Sequence, residues 1–272
     1  TVRKKKIKMS DKDYSFWDHL DELRKYLLRA FIVFFILFIV LFNFKEFLFD
    51  RFLFSFIHED FITYQWIASI AQSLDLSSFQ SPKIDFTLIN TKLPGQFMAH
   101  ISVSALAAAV INFPFLVYQL WRFIAPALYT HEKKRIRYSA FIIVFLFFLG
   151  ALFAFFIITP LSVLFLGNYQ VSEQVENMIT LSSYLSVFTT SVLFTGLLFE
   201  LPIVLRVLVS IGLTTVEGLK KYRKHAIVVG LILSAIITPT TDPFTMLLVA
   251  LPVYFLYEIS IIFSRKKQRN GS

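Results

Sequence analysis

The chain has 272 residues, 56% hydrophobic and 17% charged, with a mean hydropathy of +0.66. That balance excludes an ordinary soluble domain and indicates a polytopic membrane protein, because the apolar residues fall in runs long enough to cross a bilayer. The net charge of +9 sits in blocks beside those runs, a topology signal rather than a nucleic-acid footprint, and the absence of cysteine excludes disulfides, thiolate metal sites and cysteine nucleophiles.

Residues 1–25 are expected to form a basic cytoplasmic segment. Ser15-Phe-Trp-Asp18 has the pattern of a capping box. Phe16, Leu20, Leu23 and Leu27 recur every three or four residues, which predicts an amphipathic helix over 16–29 lying along the membrane surface. A first span is predicted over 26–42. Residues 43–95 are the longest polar stretch and read as a structured extracytoplasmic loop. Within it, Ile62, Trp66, Ile70 and Leu74 predict a surface helix over 61–74.

The second span, 96–120, contains His100, Asn112, Pro114 and the small residues Ala105 and Ala107 to Ala109. Small residues let helices approach closely in lipid, so this span is expected to be central, with His100 and Asn112 packing or hydrogen-bonding between helices. A basic, aromatic, proline-broken stretch runs from Tyr118 to Arg137, followed by a third span over 139–159 that Pro160 is expected to end. An acidic loop over 161–181 leads to a fourth span, 183–209, which holds Glu200-Leu-Pro202. The basic run Lys220-Lys-Tyr-Arg-Lys224 precedes a fifth span over 226–237. As a helix that span reaches only ~18 Å, against roughly 30 Å of hydrocarbon, so the bilayer is expected to be thinned or wetted there. The turn Thr238-Pro-Thr-Thr-Asp-Pro243 separates it from a sixth span, 244–263, and residues 264–272 form a basic tail.

Basic residues number 9 in 1–29, 5 in 119–138, 5 in 206–225 and 4 in 264–272, against 4 in 43–95 and none in 161–182 or 238–243. The positive-inside rule then gives six spans with both termini in the cytoplasm. The long runs lack a period of two, which argues against a transmembrane barrel. The expected fold class is therefore all-α, a single membrane domain of six transmembrane helices, N-in/C-in, with a short fifth helix.

Glu132, in the basic loop, and Glu22, in His19-Leu-Asp-Glu-Leu-Arg24, fall on the same membrane face. Two carboxylates at a membrane surface make a receptor for a cationic peptide, since each accepts paired bonds from guanidinium. A plainer alternative stands beside this. Asp18, Asp21 and Glu22 suit the positive end of a helix dipole, as does Glu132, and Arg24 and Lys25 are then ordinary positive-inside residues. Glu200 lies inside a span, where carboxylates are expensive and usually functional; the alternative is a satisfied interhelix contact. Glu258 falls nearer the inner end of the sixth span, and Arg29 and Arg206 can snorkel to the inner surface. The five histidines show no metal-ligand spacing, and no H-E-x-x-H, G-x-S-x-G or phosphate-cradling glycine loop occurs. No cofactor, metal or catalytic residue is expected.

His19-Leu-Asp-Glu-Leu-Arg-Lys, Trp121-Arg-Phe-Ile-Ala-Pro-Ala-Leu-Tyr-Thr-His-Glu, Phe199-Glu-Leu-Pro and Thr238-Pro-x-x-Asp-Pro with Pro252 and Tyr257-Glu-Ile, in that order, resemble the TatC family. TatC proteins are the multispanning receptor subunits of the twin-arginine protein translocase. The resemblance runs from about Phe16 to Ser264 but not through the 43–94 loop, which carries no matching motif. It implies binding of Arg-Arg signal peptides of folded cargo at the cytoplasmic face, on Glu22 and Glu132, with Arg24, Phe123, Pro126 and Tyr129 completing the site. It further implies an intramembrane groove with Glu200, Pro202 and Asp242 that contacts single-span TatA- and TatB-like partners. Self-association in a larger complex of the bacterial cytoplasmic membrane, transport driven by proton-motive force, and no enzymatic activity are implied as well. The reading of another class is a proton-coupled secondary transporter using Glu200, although no internal repeat is visible. An intramembrane enzyme lacks a nucleophile–base pair.

Overall fold

The computed structural model describes residues 16–58, 60–73, 86–124, 130–172, 174, 177–238 and 242–269, with 16–19, 71, 130–138 and 264–269 described as backbone only. Five helical stretches among them are long and apolar enough to cross a membrane: Leu20–Phe42, Gly95–Ile124, Ser139–Asn168, Leu181–Ser210 and Pro243–Phe263. The first belongs to α1, Phe16–Phe42, a single helix. The amphipathic helix expected along the membrane surface is thus the first part of α1. No Gly or Pro interrupts 16–42, and the leucine stripe runs straight into the span.

Helix α2, Ile62–Ser73, follows the predicted spacing, with Ile62, Trp66 and Ile70 exposed; Leu74 lies outside the described residues. Helix α3, Gly95–Ile124, carries Pro114 internally and packs against α1, α4 (Thr130–Phe153) and α6 (Leu181–Leu198). Its central place follows from small buried residues such as Ala99, Ser104 and Ala108.

Pro160 does not end the third span. A π-helical turn, Ala154–Ile158, joins α4 to α5, Thr159–Asn168, so helix continues well into the stretch expected to be loop. A proline lacks an N–H and crowds the preceding turn. The widened π turn accommodates both defects, and the helix carries on. The fourth span is conversely broken: Phe199 and Glu200 form a turn between α6 and α7, Leu201–Ser210. Helix α8, Val216–Lys221, is followed by α9, Arg223–Ile237, and α10, Pro243–Arg269. Helix α9 has 15 residues, slightly more than expected, and still reaches only ~22 Å.

The phenylalanine-rich piece after α1 is partly interior. It forms a π-helical turn, Phe47–Leu53, and a 3-10 turn, Phe54–Ile57, that bury Leu48, Leu53 and Phe56. Phe56 meets Phe155 edge-on at 5.1 Å and Phe188 at 5.8 Å. The freed carbonyls of these irregular turns find hydroxyl donors. Tyr184 Oη donates to Leu53 O at 2.6 Å, Tyr64 Oη to Phe56 O at 2.9 Å, and Thr63 Oγ1 to Phe156 O. Burial pushes the Tyr64 phenol well above the usual tyrosine range. Strand β1, Thr87–Ile89, pairs in parallel with β2, Met178–Thr180, with Leu88 opposite Ile179. Gly167 is needed beside this ladder, because a Cβ there would lie 2.5 Å from the Phe86 ring.

Candidate functional site

Helices α1 and α3 run antiparallel, and three contacts fix their register. Phe42 stacks on His100 at 3.8 Å near one end, Asn112 Nδ2 donates to Ala30 O at 3.2 Å farther along, and Tyr26 meets Phe123 edge-on at 6.3 Å near the other end. Both His100 and Asn112 are therefore interhelical contacts, as their positions in an apolar run predict. Glu22 lies about one turn before Tyr26 and is half-buried, while Arg24 is exposed. The fold thus brings Glu22, Arg24 and Phe123 to one end of one helix pair.

Pro126 and Tyr129 lie outside the described residues. Glu132 falls in the first turn of α4, where an acid suits the positive helix end; its side chain lies outside the described residues. Among the described residues, neither Glu22 nor Arg24 forms an ion pair. The ion pair that is seen there joins Arg223 Nη2 to Glu258 Oε2 at 2.7 Å, and Tyr254 Oη donates to Glu258 Oε1 at 3.3 Å. Beside it, Tyr257 Oη donates to Leu219 O at 2.6 Å, and Val216, Leu219 and Ile261 make a small apolar cluster. These contacts hold α8 and the start of α9 onto α10.

Glu200 occupies the break in the fourth span. Pro202 in the first turn of α7 has no N–H to continue the ladder, and the chain tightens: Glu200 N donates to Leu197 O at 3.1 Å, and Ile203 N to Glu200 O at 3.0 Å. The half-buried carboxyl faces the Phe147 backbone, and Oε1 is enclosed with no hydrogen-bond partner among the described residues. Close approach of α4 and α6 makes that geometry. A Cβ on Gly150 would lie 2.7 Å from Thr195 O, and one on Gly196 would lie 2.8 Å from the Phe147 ring. On α6 above Glu200, the Thr195 and Ser191 hydroxyls, one turn apart, are also buried without a partner among the described residues. The sequence reading missed these two. The run is rich in Ser and Thr, with Ser186, Thr189 and Thr190 alongside, so no sequence signal singles these two out.

Asp242 is not brought to Glu200. It caps α10, with Oδ1 accepting from Thr245 N at 2.7 Å, and the neighbouring Phe244 stacks on Phe165 at 4.3 Å. Phe165 and Phe147 belong to the same helical span and are ~27 Å apart along it, so Asp242 and Glu200 lie at different depths in the bundle. The expected grouping of Asp242 with Glu200 and Pro202 in one groove is corrected accordingly. Pro202 does remain beside Glu200 and is buried.

A family profile described as TatC, Sec-independent protein translocase protein (TatC), matches residues 18–252. The Sec-independent protein translocase protein TatC of Blattabacterium sp. subsp. Periplaneta americana (strain BPLAN) is 35% identical over 260 residues, covering 95% of this chain and 97% of that protein. The TatC protein of Aquifex aeolicus (strain VF5) is 33% identical over 253 residues, covering 93% and 95%. A crystal structure of the twin arginine translocase receptor TatC matches with a TM-score of 0.65 at 33% identity, covering 91% of this chain and 98% of that one. The chain belongs to the TatC family of Sec-independent protein translocase proteins.

Proposed function

We propose that this chain is the signal-receptor subunit of a twin-arginine translocase in a bacterial cytoplasmic membrane. It binds the Arg-Arg signal of folded cargo on Glu22 and Glu132 at the cytoplasmic face, with Arg24, Phe123, Pro126 and Tyr129 completing the site. The observation that carries this reading is the convergence of Glu22 and Phe123 at one end of the α1–α3 pair, next to the helix start that bears Glu132. Carboxylates on helix ends at a membrane surface suit paired guanidinium groups, whose planar forks each span two oxygens.

In this reading the five long helices and α9 make six spans, N-in/C-in, one membrane domain in all. Residues 1–25 and 264–272 are cytoplasmic and 43–95 lie outside. An even number of spans puts both termini on one side, and Arg24, Arg122, Lys220 and Lys224 all fall at or between helix ends on that side. The ~22 Å reach of α9 requires a locally thinned bilayer. Glu200 and Pro202 form the surface that single-span TatA- and TatB-like partners contact, because an enclosed carboxylate oxygen without a partner among the described residues gains from a polar group on a partner helix. Copies of this subunit associate in the larger complex, and proton-motive force drives export.

Titration of a fluorescent signal peptide onto the purified protein in detergent tests the receptor reading. An Arg-Arg peptide is expected to bind more tightly than its Lys-Lys counterpart by roughly 1.5–3 kcal/mol. Equal affinities would leave only hydrophobic binding and sink the proposal. The enclosed Glu200 also suits a proton-coupled transporter, and the two readings part on solute uptake by vesicles holding this chain alone, which the receptor reading expects to be nil.

A further inference from the structure

Between α1 and α3 runs an open groove of about 550 Å³, with Leu20, Leu23, Leu27, Phe31 and Phe34 of α1 and Leu116 of α3 on its walls. That volume lies within the ~300–1,000 Å³ typical of small-molecule sites. Two polar residues interrupt the apolar lining, Arg24 towards one end and Asn112 deeper in. Asn112 is only 7% exposed. Its Nδ2 is bonded to the Ala30 carbonyl, which sets the spacing of the two helices, and its Oδ1 has no partner among the described residues. A specific interhelical bond thus fixes α3 against α1 beside the groove.

Dimensions and charge select the occupant. From Arg24 to Phe34 the groove follows α1 for ~15 Å, half of the roughly 30 Å hydrocarbon thickness. It spans one leaflet, from a cation at the headgroup level to apolar walls at the bilayer middle. Arg24 is exposed and without an ion pair among the described residues, and Lys25 and Arg29 stand near it on the same helix end. Asp21 and Glu22 share that helix end, but Arg24 is the one charged residue that lines the groove, and its guanidinium attracts an anion. Glu22 is absent from the lining and lies ~200° around the helix from Arg24, so the groove is separate from the carboxylate face. We propose that this groove is an anionic phospholipid site, with the phosphate on the Arg24 guanidinium and one acyl chain lying along α1 towards Phe34.

The test uses the full chain equilibrated with vesicles of equal parts phosphatidylglycerol and phosphatidylcholine, then extracted in mild detergent, with retained lipid counted by mass spectrometry. Wild type is expected to retain phosphatidylglycerol over phosphatidylcholine. Arg24→Gln is expected to reduce that retention about tenfold, the loss of one charge-assisted contact. Leu27→Trp fills the groove without touching a charge and should reduce it as much. Leu28→Trp makes the same change from the neighbouring position should the first variant fold poorly. Both leucines are nearly half exposed, so neither substitution overpacks a core. Lys25→Gln, outside the lining, should retain the lipid. Equal retention of the two lipids, or a loss in Lys25→Gln equal to that in Arg24→Gln, overturns the proposal. So does displacement of the lipid by glycerophosphoglycerol, the headgroup without chains, since it would mark a bare phosphate site. A groove-filling variant that folds and keeps its lipid overturns it as well.

Discussion

Around Phe56 the helix ends are roofed. Irregular turns from 47 to 57 sink three apolar side chains among the spans, Tyr64, Tyr184 and Thr63 bond the exposed carbonyls, and a two-stranded parallel ladder ties 87–89 to 178–180. At the other end of α1 and α3, Glu22 and Arg24 project from helix ends with no ion pair among the described residues, and α1 is flanked by an open groove. Between these regions Glu200 Oε1 is enclosed without a hydrogen-bond partner among the described residues. The contrast separates stability from function. The roofed end buries Leu48, Leu53 and Phe56 and pairs carbonyls its turns expose, whereas at the open end Glu22 and Arg24 are left for something outside the chain.

Substitutions can break or sharpen that contrast. The largest effect is expected from Phe56→Ala, which empties a fully buried site among Phe155, Phe188 and Phe61 and should cost about 3–5 kcal/mol in thermal unfolding in mild detergent. Gly150→Val should cost about 1–3 kcal/mol, because the added carbons meet the Thr195 carbonyl and the Phe199 ring, and α4 must move off α6. Tyr184→Phe removes one buried hydrogen bond to Leu53 O and should lower stability by about 1 kcal/mol; an unchanged midpoint would show that the roof does not depend on that hydroxyl. Glu258→Gln should cost under about 1 kcal/mol, since its partner Arg223 is 46% exposed and solvent screens the pair. Glu22→Gln should change unfolding by no more than about 0.5 kcal/mol while weakening signal-peptide binding. A large stability loss in that variant would return Glu22 to the role of a helix-end acid.

Spans were legible because length and apolarity are local properties, and five of the expected spans recur as long apolar helices. What the sequence hid was non-local. Pro160 read as a helix end because a proline normally is one, and only the π turn before it, packed against Phe56 and Tyr64, lets the helix continue. That Phe49 and Phe56 pack against the helices was not readable, because their partners, His100, Phe155 and Phe188, lie far away in the chain. Asp242 was grouped with Glu200 through the family resemblance alone, whereas it caps α10 and Glu200 sits in the turn between α6 and α7. The hydroxyls of Ser191 and Thr195 became meaningful only once Gly150 and Gly196 had brought α4 against α6. The acids near the helix starts were readable, whereas the contact of Tyr26 with Phe123 that joins α1 to α3 at that end was not.

A double-mutant cycle tests the receptor account most directly. The affinity of Arg-Arg and Lys-Lys signal peptides would be measured on wild type, Glu22→Gln and Glu132→Gln. Should these carboxylates hold the guanidinium pair, the Lys-Lys penalty seen on wild type shrinks by about 1 kcal/mol or more on each variant. A penalty of the same size on all three proteins would mean that the peptide arginines are read elsewhere, and the proposed site would be wrong.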